Sequence, residues 1–211
     1  MIIELKDYTK IIKGVPVLNC VNLRFESGNI YGITGTNGSG KTMLLRAISG
    51  LLLPSSGAAY IDGKELGKQI EFPDNMGIFI ERPNFLSYLT GFENLKYLAE
   101  IQGKTPDERI KEYMKLFFLD PNDKKPYKKY SQGMKQKIGI IQAIMENQQL
   151  IILDEPFNAL DKESVRVLKE WLIEAKSNNK LVILTSHSQV DISTLCNSVF
   201  FVDSGKVEKE L

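Results

Sequence analysis

The stretch Gly35-Thr36-Asn37-Gly38-Ser39-Gly40-Lys41-Thr42 has the form Gly-x-x-x-x-Gly-Lys-Thr. The chemistry of that pattern is phosphate binding. Glycines let consecutive backbone N–H groups curl around phosphate oxygens where a β-carbon would obstruct, and the start of a following helix adds partial positive charge. Asn37, Gly38, Ser39, Gly40 and Met43 form the cradle, Lys41 reaches the β- and γ-phosphates, and the Thr42 hydroxyl is placed to ligate Mg²⁺. Without a strand before it and a helix after it, the pattern is a chance glycine-rich turn. Ile30-Tyr31-Gly32-Ile33 and Met43-Leu44-Leu45-Arg46-Ala47-Ile48 meet that condition.

Leu150-Ile151-Ile152-Leu153-Asp154-Glu155 is an apolar run ending in two carboxylates. Four consecutive large aliphatics predict a strand buried on both faces of a parallel sheet. Ligands in such sheets sit at the carboxyl ends of strands. Asp154 then lies where it holds Mg²⁺ through water, and Glu155 is next in line to polarise an attacking water. Standing alone, an Asp-Glu pair after a strand is a helix cap or a solvated turn. The phosphate loop upstream turns the reading to metal and base.

Tyr130-Ser131-Gln132-Gly133-Met134-Lys135-Gln136-Lys137 lies between the two. Ser131 predicts a helix N-cap, with a helix over 132–146 that puts Ile138, Ile141, Gln142 and Met145 on recurring faces. A helix start carrying Ser and Gly offers N–H donors to an anion. At this point the chain resembles the ATPase subunit of an ATP-binding-cassette (ABC) transporter, whose signature has the form Ser-x-Gly-x-x-Gln, here Ser131, Gly133 and Gln136. Asn158-Ala159-Leu160-Asp161 matches the family's D-loop. Thr185-Ser186-His187-Ser188, after Leu181-Val182-Ile183-Leu184, matches its H-loop. A lone histidine is more often structural, yet His187 follows an apolar strand at the place where a γ-phosphate would sit.

The resemblance spans nearly the whole chain. It implies an α/β fold with a three-layer P-loop NTPase core, an N-terminal antiparallel β subdomain and a helical insertion. It implies one ABC ATPase domain over 1–211, with core and β subdomain at 1–81 and 147–211 and the helical subdomain at 82–146. It implies ATP and Mg²⁺ as ligands, with Thr42, Glu81 and Asp154 at the metal, Glu155 as the base, and Lys41 and His187 at the γ-phosphate. It further implies a head-to-tail dimer in which Ser131, Gly133, Gln136 and Asp161 face nucleotide held by a second ABC ATPase subunit, identical or not.

Two positions depart from the family pattern. Glu81, in Ile78-Phe79-Ile80-Glu81-Arg82-Pro83, stands where the family usually has the Gln of its Q-loop. Glu offers a charged oxygen and no N–H donor. It still suits Mg²⁺, and it adds negative charge near Glu155. With the loop from Pro83 to Leu95, it resembles the subgroup that exports, or confers immunity to, bacitracin, lantibiotics and other peptides. Ile12 stands where many members carry an aromatic that stacks on adenine. Ile12 gives apolar contact without a π-stack, and Tyr8 is a candidate substitute.

These groups need elements to hold them. Strands are expected at 2–5, 17–25, 30–34, 58–61, 76–80, 150–154, 181–185 and 199–202, and helices at 93–101, 162–177 and near 189–196. Thr105-Pro106-Asp107-Glu108 predicts a capping box with Pro at the first helical position. Its helix runs to Leu119 and stops before Pro121. Phe85, Leu86, Tyr88, Leu89 and Phe92 crowd the loop after Glu81, which predicts a partly exposed apolar groove for a membrane subunit.

The 211 residues fit one domain, or a core with a subdomain, and a hydrophobic share of 43% is that of a globular protein. A net charge of +1 gives no global pull toward nucleic acid, and no such partner is expected. Lys124-Lys125-Pro126-Tyr127-Lys128-Lys129-Tyr130, basic with two aromatics, has the composition of a nucleic-acid patch, but the proline breaks it and the charge is local, so it reads as a solvated loop. Cys20 and Cys196 lack metal-like spacing and read as small buried residues of a reducing compartment. No signal peptide shows, and no apolar run approaches the ~20 residues that span a bilayer. The resemblance therefore implies a cytoplasmic chain held to the inner face of the plasma membrane by an integral membrane permease. No regulatory domain is expected after Gly205. Two other readings stay open: a non-transport ABC ATPase acting on DNA or ribosomes, though these usually carry coiled-coil insertions or two cassettes, and a single cassette serving Fe–S assembly. The motifs do not encode the substrate or the direction of transport.

Overall fold

The chain opens with two long strands, β1 (Ile2–Ile12) and β2 (Val15–Glu26), in a computed structural model that describes residues 1–81, 83–103 and 105–210. The turn between them, Lys13-Gly14, has φ of 50° and 80°, the left-handed pair that lets a two-residue hairpin follow the twist of its strands. β3 (Asn29–Thr34) runs through the phosphate loop into α1 (Lys41–Ile48). β4 (Ser56–Ile61), β5 (Lys64–Glu65) and β6 (Met76–Phe79) follow. The middle is helical, with α2 (Gly91–Gln102), α3 (Asp107–Leu116) and α4 (Gln132–Ile144). The last third alternates through β7 (Leu150–Leu153), α5 (Lys162–Ser177), β8 (Leu181–Thr185), α6 (Gln189–Leu195), β9 (Ser198–Asp203) and β10 (Lys206–Lys209).

Among the described residues these strands form two sheets. A six-stranded sheet has the order β10-β9-β3-β8-β7-β6, and a four-stranded sheet has the order β2-β1-β4-β5. In the larger sheet only β10 is antiparallel to its neighbour. The aliphatic runs of β7 and β8 are buried at every position, as strands covered on both faces must be. Alternate residues serve the two faces. Ile151, Leu153, Val182 and Leu184 join a core with the helices α2 to α6. Leu150, Ile152, Leu181 and Ile183 join a second core with α1 and the antiparallel sheet. Three layers result, as the resemblance implied.

The register of the parallel strands builds the site. Phe79 pairs with Leu153, and Leu153 with Leu184. Ile33 pairs with Thr185. The residues just past these pairs, including Asp154, Glu155 and the phosphate loop, therefore emerge at one edge of the sheet.

α4 lies hard against that sheet because two glycines permit it. A Cβ at Gly77 would stand 1.7 Å from the Ala143 carbonyl oxygen, and one at Gly139 would stand 2.3 Å from the Phe79 ring. The helix that begins with Ser131 thus packs on β6 and β7 as well as on α2 and α3. No helix among the described residues is long and apolar enough to cross a membrane.

Several local expectations change. Thr105 makes no cap: α3 starts at Asp107 with Pro106 at the N-cap in extended conformation and without a side-chain cap bond. Pro106 has φ −73° and ψ 157°, extended rather than helical, so the first turn begins one residue later than Thr105 requires. The capping box sits instead on α2, where Thr90 Oγ1 accepts from Glu93 N–H at 3.2 Å and Glu93 Oε2 accepts from Thr90 N–H at 2.7 Å. α3 also ends at Leu116 rather than Leu119. Phe118 adopts φ 58°, which lets Phe117 and Leu119 both turn into the core. β1 is longer than expected because β2 and β4 flank it and pair with its polar half. Cys196 is buried as expected, whereas Cys20 is exposed on β2.

Candidate functional site

The phosphate loop joins β3 to α1. Gly38 and Gly40 have φ of 79° and 114°. A Cβ at Gly35 would stand 2.3 Å from the Val202 carbonyl oxygen, so that position must lack one. The loop is fixed from behind by Gly205 N–H, which donates to Ser39 O at 3.0 Å. Lys41 is buried, and its Nζ donates to Gly35 O at 2.9 Å and Thr36 O at 3.0 Å. Its ammonium is thereby held over the loop. Ser39 Oγ is buried with no hydrogen-bond partner among the described residues. A loop without β-carbons, an ammonium and an orphaned hydroxyl form a set that fits phosphate oxygens.

The carboxylates stand beside it. Asp154 Oδ2 accepts from Thr42 Oγ1 at 2.9 Å, and its Oδ1 accepts from Thr185 Oγ1 at 2.6 Å. Among the described residues no group of three or more His, Cys, Asp and Glu is arranged to hold a metal. Mg²⁺ takes one or two protein oxygens and fills its remaining positions with phosphates and water. Thr42 and Asp154 are the pair that fits it.

Glu155 and His187 form the far wall. Glu155 Oε1 lies 3.0 Å from His187 Nε2. The contact lacks hydrogen-bond alignment, and that buried oxygen is otherwise unpartnered among the described residues. Burial raises the Glu155 carboxyl above the ordinary 4.5, with His187 and Lys41 pulling the other way. A cleft of about 650 Å³ runs past Asn37, Lys41, Thr42, Asp154, Glu155 and His187. The structure thus brings together the expected phosphate-loop, acid and histidine positions.

The signature residues lie elsewhere. Ser131 caps α4, its Oγ accepting from Met134 N–H at 3.2 Å. Neither Ser131 nor Gly133 lines the cleft that holds the phosphate loop. Gln136 and Asp161, expected at a nucleotide, have partners within the chain. Gln136 Nε2 donates to Glu155 O at 3.1 Å and Pro156 O at 3.2 Å. Asp161 caps α5 by accepting from Ser164 N–H at 2.9 Å, and it pairs with the buried Lys137 at 2.7 Å. The Lys137 hydrogen bond, followed by the Ser164 amide, holds the Asp161 carboxyl far below the usual carboxylate range. Lys137 and Thr185 were not singled out in the sequence. The exposed spacing of a lysine, or of a threonine ending a strand, gives no signal of such partners.

Glu81, expected at the metal, accepts from Arg46 Nη2 of α1 at 2.7 Å. It still lines the cleft beside Asp154 and Glu155. A charged oxygen finds a guanidinium there, which a neutral Gln would hold less well. Tyr8 cannot reach a base. It is fully buried, its hydroxyl donates to Leu52 O, and burial pushes its pKa up. Ile12 is exposed at the hairpin tip, directly opposite Val15. Val15 and Val17 line the cleft, and the sequence reading missed both.

The aromatic cluster after Glu81 divides. Phe85 and Phe92 pack against the helical core, with Phe85 5.1 Å from the Tyr127 ring. Leu86 and Tyr88 face solvent, Tyr88 being 69% exposed. In the basic loop, Tyr127 and Tyr130 are buried and only the lysines are outside, so no aromatic surface accompanies that charge.

Residues 18–158 match the family model described as ABC transporter. The ABC transporter ATP-binding protein YybJ of Bacillus subtilis (strain 168) is 40% identical over 98% of this chain and 94% of its own length. The bacitracin transport ATP-binding protein BcrA of Enterococcus faecalis is 32% identical over 100% of this chain and 69% of its own. A solved structure described as the ATP binding subunit of an ABC transporter superposes with a TM-score of 0.90 at 28% identity, covering 99% of this chain and 89% of that one.

Proposed function

This chain belongs to the ABC transporter ATPase family, and from that premise we propose that it hydrolyses ATP to drive export of a peptide antibiotic or similar compound through a separate membrane subunit. The observation that carries the ATPase reading is the meeting of three chain segments at one cleft: Thr42 2.9 Å from Asp154, and Glu155 3.0 Å from His187. Similarity to a bacitracin transport ATPase over the full chain, together with Glu81 at the Q-loop position, supports the peptide class.

ATP lies with its phosphates in the loop of residues 35–42, where Ser39 Oγ and the glycine N–H groups meet them. Thr42 and Asp154 would hold Mg²⁺, which would supply charge neutralisation for the phosphates. Lys41 exchanges its loop carbonyls for phosphate oxygens. Glu155 accepts the proton of the attacking water, and its burial makes it a stronger base than a solvated carboxylate. His187, 3.0 Å from that carboxylate, stands on the γ-phosphate side, where it would contact the phosphate and the attacking water. A second ABC ATPase subunit completes each site with its own Ser131 and Gly133, at a helix start suited to an anion.

The base is held by aliphatic contact at Ile12, Val15 and Val17. Ile12→Tyr should tighten ATP binding about tenfold, since base–aromatic stacking contributes roughly 1–3 kcal/mol. Competition against a fluorescent nucleotide reads this. Unchanged affinity would place the base away from the hairpin.

Transport is tested by the partner. A tagged chain expressed in its native cell should copurify in detergent with an integral membrane protein, and Tyr88→Glu should lose that complex while still binding nucleotide. A chain that stays free of every membrane fraction at full expression would remove the transporter reading and leave the ATPase.

A further inference from the structure

We propose that Thr185 is a positioning residue for hydrolysis: its one buried hydroxyl bridges the two acids of the site and sets the place of both. The proposal rests on the roles given above to Asp154 and Glu155. Thr185 ends β8 with no exposure to solvent. Its Oγ1 donates to Asp154 Oδ1 at 2.6 Å and accepts from Glu155 N–H at 2.7 Å. The directions follow from the partners. An ionised carboxylate only accepts, an amide N–H only donates, and a hydroxyl does one of each at the same time.

Each bond has a consequence. With Oδ1 engaged, Asp154 turns Oδ2 to Thr42, 2.9 Å away, and the carboxylate loses its freedom to rotate. A short hydrogen bond to a charged acceptor is among the stronger kinds. Glu155 has φ 49°, a left-handed conformation that a non-glycine residue keeps only when its surroundings over-determine it. Its peptide groups are gripped on both sides. Thr185 takes the N–H, and Gln136 Nε2 donates to the carbonyl oxygen at 3.1 Å. The pairing of Leu153 with Leu184 puts Thr185 beside the Asp154-Glu155 peptide. Thr185 therefore sets the aim of a metal-side oxygen and of the base without touching the reacting atoms.

Thr185→Val keeps the shape and deletes the hydroxyl. It frees Asp154 Oδ1 and strands a buried N–H. Thr185→Ser keeps the hydroxyl. Both are compared with Glu155→Gln by MgATP turnover, by Mg²⁺ titration of turnover, by fluorescent-nucleotide binding and by thermal melting. For Thr185→Val, kcat should fall about 10–100-fold and the Mg²⁺ midpoint should rise, as expected when an orienting partner of a metal ligand is lost. ATP KM should change little, and Thr185→Ser should restore most of the rate. Should the valine variant fail to fold, Thr185→Ala and Thr185→Ser carry the same comparison. Wild-type kcat and Mg²⁺ midpoint in Thr185→Val, with Glu155→Gln inactive, would overturn the proposal. So would a serine variant as impaired as the valine one, because shape rather than the hydroxyl would then matter. Normal turnover in Glu155→Gln would instead remove the reading on which the proposal rests.

Discussion

Replacing Glu155 by Gln leaves nucleotide bound and stops its hydrolysis. The side chain keeps its length and loses the acceptor that takes a proton from water, a loss of about 10²–10⁴-fold for a general base. Binding should survive because the phosphate loop, Lys41 and the Thr42–Asp154 pair do not depend on the Glu155 carboxylate. Removing a buried charge beside the γ-phosphate also relieves repulsion, so two subunits should remain closed around ATP. Gel filtration with ATP and Mg²⁺ should then show a dimer that does not decay, and phosphate release should be near background. Turnover within a few-fold of wild type would show that another group takes the proton.

Gly133→Asp should abolish ATP-driven dimerisation and lower turnover about 10²-fold or more. A carboxylate in the first turn of α4 suits the helix itself, since negative charge near a helix N-terminus is stabilising. The damage should arise between subunits, where the proposed arrangement sets the new charge against the γ-phosphate of the facing nucleotide. Like charges set against each other at an interface cost several kcal/mol, and ~3 kcal/mol is about 10²-fold in affinity. A control separates charge from size. A Cβ at Gly133 would stand 2.7 Å from the Ala159 carbonyl oxygen, so Gly133→Ala tests the crowding alone. Sedimentation with ATP should find the Asp variant monomeric and still able to bind nucleotide at its own site. An ATP dimer as stable as wild type would place the signature helix away from the second nucleotide. Equal loss in the alanine variant would assign the effect to packing against the loop at Ala159.

The parts of the site that the sequence settled by itself are those made by neighbours in the chain. The phosphate loop needs only glycines, a lysine and a strand–helix junction, all within residues 30–48. The run Leu150 to Leu153 announces a strand covered on both faces because no polar residue interrupts it. Ser131 sits at a helix start, where a polar side chain can reach the N–H group three residues on, and that cap forms. Thr105 shows the limit of such local reading, since Pro106 stays extended and itself takes the N-cap position.

The tertiary structure decided which side chains meet across long separations, and these are the contacts that tune the chemistry. Arg46 meets Glu81 because α1 lies beside the end of β6. Gln136 meets the Glu155 carbonyl, and Lys137 meets Asp161, because Gly77 and Gly139 let α4 settle on the sheet. Tyr8 is in the core and Val15 at the cleft because bulges shift the register of β1 against β2, and register sets which face each side chain takes. Thr185 reaches both acids because two parallel strands end level. Periodicity and capping act over a few residues and are written in the chain. Register and close packing depend on how distant surfaces fit, and nothing in a single stretch of sequence records that fit.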